Sequence, residues 1–178
     1  MIFNHRKTLC ISLVVAGLTL SALLFAFPPE ASAEVRTHVS SFRKPTTTGS
    51  QSVTGVGFKP KAIVFFAATT SIDALVNGDL TWGVGFAASG TAVTGGAISV
   101  SDEGAGTSDT YTLASSTREI LLLNGLTGAV TGAADVTSFD NDGFTLNWLT
   151  SNANSLTVVH YVAVGGADIT QATSGQFA

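Results

Sequence analysis

In Phe139-Asp140-Asn141-Asp142-Gly143-Phe144-Thr145-Leu146-Asn147-Trp148-Leu149, two apolar runs meet at a short polar turn. Asp142-Gly143 is a residue pair that tolerates positive φ, which a tight hairpin needs. Beyond the turn, Phe144, Leu146 and Trp148 fall on one side of an extended chain, and Thr145, Asn147 and Leu149 on the other. That is the period of two expected of a strand with one face on a core. The stretch therefore predicts two adjacent antiparallel strands, with Trp148 among the core residues.

The same signature recurs outward in both directions. Ala62 to Ala67 reads AIVFFA after Lys59-Pro60-Lys61, a continuous apolar run that predicts a central strand buried on both faces. Leu156 to Val164 sets Val158, His160, Val162 and Val164 against Val159, Tyr161 and Ala163. Further strands are expected over His38–Arg43, Gln51–Val56, Leu80–Ala87, Gly96–Val100, Thr110–Ala114, Glu119–Leu123 and Ala133–Phe139. Gly, Thr, Ser and Asn punctuate these runs, and no stretch of 11 residues carries apolar positions at helical spacing. About ten short strands predict an all-β fold, an antiparallel β-sandwich of jelly-roll type, with barrel closure as the alternative.

The first 33 residues stand apart. His5, Arg6 and Lys7 precede an uncharged apolar run from Thr8 to Phe27, Pro28 and Pro29 end any helix there, and Ala31-Ser32-Ala33 is a small-residue cleavage site. This reads as a signal-peptide helix, residues 1–33, removed before Glu34. An uncleaved anchor of similar length is the rival. Export to the periplasm, cell surface or medium is the expectation, with no membrane attachment after cleavage, leaving residues 34–178 as a single domain. Without Arg6, Lys7 and Glu30, the 8 basic and 12 acidic residues become 6 and 11, a net charge of −5 with His neutral, and Cys10 is lost. A domain without cysteine gets nothing from disulfides and must hold itself by its core. Its acidic balance argues against nucleic acid as a partner.

Three segments together carry a resemblance: Thr48-Gly49-Ser50-Gln51-Ser52-Val53-Thr54-Gly55-Val56-Gly57-Phe58-Lys59-Pro60-Lys61-Ala62-Ile63-Val64-Phe65-Phe66, then Ser138 to Trp148, then Tyr161-Val162-Ala163-Val164-Gly165-Gly166. In that order the chain resembles a recurrent β-sandwich family met in phage structural proteins and bacterial exported proteins. The resemblance implies the fold and carries over no catalytic residue. Physically, Gly55 and Gly57 permit a tight or bulged backbone, and Phe58 can plug the end of the sandwich. No Gly-Lys-Ser/Thr follows, so this is not a phosphate loop.

Catalytic and zinc motifs are missing from the sequence. His38 and His160 belong to neither a metal pattern nor a nucleophile elbow, and a histidine held in the core or at a sheet surface accounts for either. Asp102, Glu103, Asp109, Asp140 and Asp142 fall in expected loops and are candidate ligands for Ca²⁺, the one cofactor the sequence raises. Capping of turns by aspartate explains them equally. Trp82, Tyr111, Trp148 and Tyr161 are candidates for a sugar-stacking platform, with Trp82, Asp79 and Tyr111 as its foremost members.

Two functions are therefore expected to compete, with hydrolysis a distant third. One is a structural or adhesive interaction module without catalytic activity, whose partner is another protein or copies of itself. The other is a carbohydrate-binding module, with or without Ca²⁺. A continuous apolar sheet face or an open strand edge would mark the first. Exposure of Trp82 near Asp79 or the 102–109 loop would mark the second.

Overall fold

Alternation of apolar and polar residues yields strands, and strands become stable only when stacked over a shared core. In the computed structural model, which describes residues 34–68, 80–90, 92–102, 104, 106, 107, 109–153 and 157–175, each expected strand is present. They are β1 (Arg36–Arg43), β2 (Gly49–Thr54), β3 (Pro60–Ala68), β4 (Leu80–Ser89), β5 (Val93–Asp102), β6 (Thr110–Ser115), β7 (Ile120–Leu123), β8 (Val130–Asp140), β9 (Gly143–Ser151) and β10 (Val158–Gly165). The expected signal-peptide helix lies outside the described residues. Residues Glu34–Ala178 form one compact unit.

All pairings are antiparallel, in a six-stranded sheet ordered β1-β10-β3-β4-β5-β6 and a four-stranded sheet ordered β2-β9-β8-β7. This is a β-sandwich. The two ends of the chain wrap as a jelly roll does, β1 on β10 in one sheet and β2 on β9 in the other. The middle of the chain instead runs as two meanders, β3 to β6 and β7 to β9.

Inward residues of β3, β9 and β10 build the core. Phe144, Leu146, Trp148, Phe65, Ile63, Val159 and Tyr161 are each at most 2 % exposed. Phe144 meets Phe65 and Tyr161 edge-on at centroid separations of 5.7 and 5.2 Å, the arrangement ring quadrupoles favour. Trp148 is core as expected, and its indole N–H donates to Gln51 Oε1 at 2.8 Å, satisfying the one polar atom the ring buries.

The AIVFFA strand is central, between β10 and β4. It is not buried on both faces: Ile63, Phe65 and Ala67 face the core, while Val64 is half-buried and Phe66 is 45 % exposed. An unbroken apolar run gives the same sequence signal whether or not its second face is covered by the same chain.

Sheet spacing explains the neighbouring strands. Toward the core, β4 presents Thr81, Gly83, Gly85 and Ala87, and β5 presents Gly95, Ala97, Ser99 and Ser101, all small. A Cβ on Gly85 would run into the carbonyl oxygen of Glu119, and one on Gly83 would lie 2.7 Å from that of Leu121. The wholly buried β7 therefore lies directly against this part of the sheet. Thr81 Oγ1 and Ser101 Oγ donate to the carbonyls of Leu123 and Asn124 at 3.1 and 3.2 Å, so the buried hydroxyls have partners.

Candidate functional site

Small residues facing inward on β4 and β5 leave the bulky ones facing outward. Register places them in rows across the six-stranded sheet. One row runs Val39, Val162, Val64, Phe86, Gly96. The next runs Ser41, His160, Phe66, Val84, Ile98, Ala114, and the one after it Arg43, Val158, Ala68, Trp82, Val100, Thr112. Val39, Ile98, Phe66 and Trp82 are 72, 55, 45 and 42 % exposed. A fourth row, Thr37, Val164, Ala62, Ala88, Thr94, forms a margin that the C-terminal segment reaches, where Ser174 Oγ donates to Thr94 Oγ1 at 2.8 Å. Within the four rows there is no acidic residue, and the one fixed charge is Arg43.

The outer face of the four-stranded sheet is more polar. It carries Ser50, Ser52, Thr54, Thr145, Asn147 and Asp135, the last bound by Arg118 at 3.0 Å, with Leu149 as an exposed apolar residue among them. Large apolar residues are thus concentrated on the other side of the sandwich. Strands with large outward residues and small inward ones give up burial that the same residues would gain if reversed, about 1.5–3 kcal/mol for each large side chain.

The expected site residues separate in space. Trp82 lies on the apolar face, beside Val100 and Ala68. Tyr111 does not join it: it pairs with the fully buried Ser101 on the inward side of β6, its ring against Gly128. Asp79 and Glu103 lie outside the described residues. Trp148 and Tyr161 are core, so the four-aromatic platform is not formed. Asp102 accepts from Thr110 Oγ1 at 3.4 Å, and Asp109 is exposed.

Asp140 and Asp142 stand at the end of the sandwich away from Asp102 and serve the chain itself. Asp140 accepts from Ser138 Oγ and Thr145 Oγ1, each at 2.8 Å. Asp142 Oδ1 accepts from Gly57 N at 2.6 Å and Oδ2 from Gly55 N at 3.1 Å, while its carbonyl accepts from Val56 N at 3.3 Å. Gly55 and Gly57 have φ of +86° and +83°, and their amides, so turned, make an anion-binding concavity filled by the protein's own carboxylate. The two sequence motifs are thus two halves of one clasp. The hairpin loop itself is Asn141-Asp142, one residue earlier than the Asp-Gly pair predicts. Gly143, at φ +152°, begins β9 where a Cβ would strike the Val53 carbonyl. Among the described residues no group of three His, Cys, Asp or Glu converges.

Two buried ionisable groups gave no sequence signal. Lys44, 2 % exposed, donates from Nζ to Ser151 Oγ at 2.7 Å and to the carbonyls of Pro45 and Asn152 at 3.2 Å, with the Trp148 ring 5.9 Å away. Burial pulls its pKa down. Glu119, 5 % exposed, accepts from Val136 N at 2.9 Å beside an open pocket of about 440 Å³ that also touches Phe86, Val93 and Ser174. Burial pushes its carboxyl up, and Asp135 adds to this, against the Val136 amide and Arg118. His38 stacks on Tyr161 with ring centroids 6.0 Å apart, and His160 stands exposed on the sheet surface.

Comparison with family models, curated proteins and solved structures gave no match for this chain.

Proposed function

We propose that the chain is a non-catalytic structural or adhesive interaction module whose working surface is the outward face of the six-stranded sheet. The observation that carries this reading is the apolar face itself, three adjacent rows spanning five or six strands, with Ser41, Arg43, His160 and Thr112 as the polar side chains among them. Contiguous apolar surface beyond a few hundred Å² is uncommon on soluble monomers and marks places where something docks. The resemblance to structural and exported β-sandwich proteins agrees with it, as does an N-terminal leader that would deliver the domain outside the cytoplasm. Environment-sensitive dye binding tests the reading. At a dilution that leaves the chain monomeric, the wild-type face should bind an apolar fluorophore, and Ile98→Lys should weaken that binding while Thr54→Lys on the polar sheet leaves it. Equal signals from the two variants would sink it.

A second reading is supported by the exposure of Trp82 with Asp102 two residues beyond its neighbour Val100 on the same face. A ring so placed can stack on a sugar while a carboxylate accepts its hydroxyls. Saturable glycan binding, lost in Trp82→Ala, would establish it, and sensitivity to chelator would place Ca²⁺ in the site.

A further inference from the structure

We infer that the occupant of the apolar face is a second copy of this chain, docked sheet to sheet about a twofold axis running parallel to the strands between β3 and β4. The inference rests on the docking-face reading above. Its first support is area. Six strands at about 4.8 Å and three rows at about 6.8 Å give roughly 600 Å² in projection, and the relief of Trp82, Phe66 and Phe86 adds to that. A standard stable interface takes roughly 600–1,000 Å² from each partner. The second support is charge: a domain of net −5 whose face bears no acidic residue in these rows can meet its copy without the repulsion its other surfaces would impose.

Shape is the third. A twofold axis between β3 and β4 lays β3 over β4 of the other copy, β10 over β5 and β1 over β6, at the roughly 10 Å separation of stacked sheets. Trp82 then comes to lie over Ala68, Phe86 over Val64 and Gly96 over Val162, so large residues meet small ones in all three cases. His160 lies over Ile98 and Phe66 over Val84. The polar four-stranded sheets face outward on both sides of the resulting four-layer stack.

A chain carrying Cys10→Ser has no thiol, so a single introduced cysteine reports its twin directly. Val64→Cys lies beside the proposed axis, its Cα roughly 11 Å from its twin's across sheets stacked about 10 Å apart, beyond the reach of a disulfide, and should be joined into a covalent dimer by a short bis-maleimide. Val39→Cys, on the edge strand, lies over the far edge of the copy and should not. Sedimentation velocity of the parent chain should give twice the monomer mass, and Ile98→Lys or Val84→Lys, each folded by circular dichroism, should weaken association by at least about 100-fold by burying an unpaired charge from each copy. A parent chain that stays monomeric while binding the dye in an Ile98-dependent manner would overturn the second copy and leave the docking face standing. So would binding to phosphatidylcholine vesicles that Ile98→Lys abolishes, with a membrane as the occupant. A dimer broken by Thr54→Lys and not by Ile98→Lys would overturn the inference and the docking-face reading together.

Discussion

Replacing Asp142 by alanine removes two charge-assisted hydrogen bonds, those from the amides of Gly57 at 2.6 Å and Gly55 at 3.1 Å, and leaves the longer Val56 amide bond to the Asp142 carbonyl intact. A hydrogen bond to a charged group contributes about 1.5–3 kcal/mol net. Because this clasp is exposed to solvent, the lower end applies, giving about 2–3 kcal/mol for the pair. For a domain of this size about 1 kcal/mol corresponds to roughly 3 °C in Tm, so Asp142→Ala should melt about 6–9 °C lower. Asp142→Asn keeps one acceptor and the turn preference but loses the charge, and about half the drop is expected. Added salt should narrow the gap between wild type and Asp142→Asn, since part of it is screened Coulomb attraction. Calorimetry gives the Tm values, and hydrogen exchange at Gly55, Val56 and Gly57 reports the clasp itself. A Tm for Asp142→Ala within 2 °C of wild type (about 0.7 kcal/mol), with those amides still protected, would show that the loop holds its shape without the carboxylate.

Gly85→Ala should cost upward of about 2 kcal/mol, because the new methyl meets the backbone carbonyl of Glu119 and β7 must move, whereas Gly106→Ala, with nothing within 4 Å, should be near neutral; equal denaturant midpoints would refute the close approach. Lys44→Met keeps the stem and strips donors from Ser151 Oγ and the Pro45 and Asn152 carbonyls, at about 1–3 kcal/mol in urea unfolding. A more stable variant would mean that the cost of burying the charge exceeds those bonds. Glu119 titrates above its ordinary 4.5 in the folded chain, so its contribution to stability is complete below that value and is lost as pH rises through the raised pKa. The stability of Glu119→Gln relative to wild type should therefore grow across that window, and parallel Tm curves against pH would refute the assignment.

The strands were legible because each is a short run with its own punctuation; period-two alternation fixed which face of β9 is inward, while in β10 it separated two apolar sets without saying which is buried. What alternation cannot supply is the distance to the next layer. In β4, Trp82, Val84 and Phe86 alternate with Thr81, Gly83 and Gly85, and the ordinary reading sends the large set inward. The close approach of β7 reverses it, which only the glycines hint at. The candidate site was legible in part: Trp82 does reach the surface, but Tyr111 is turned away by the register β6 makes with β5. Asp140 and Asp142 were visible as turn residues, while the amides that Asp142 holds, those of Gly55 and Gly57, lie more than 80 positions away. Lys44 carried no signal at all, since its acceptors are backbone carbonyls and a serine over a hundred positions distant.

The pairing of β1 with β10, Arg36 opposite Gly165, has a consequence in time. During synthesis β1 emerges with no neighbour in its sheet, because its sole neighbour among the described strands is β10. β3 likewise waits with one flank open until residues 158–165 appear. Closing contacts across most of the chain's length is slow compared with forming local hairpins, so β3 to β6 and β7 to β9 can zip early while the sandwich as a whole cannot. A nascent chain of this design stays unclosed until residues 158–165 have left the ribosome: of the described strands, the earliest made is among the last seated.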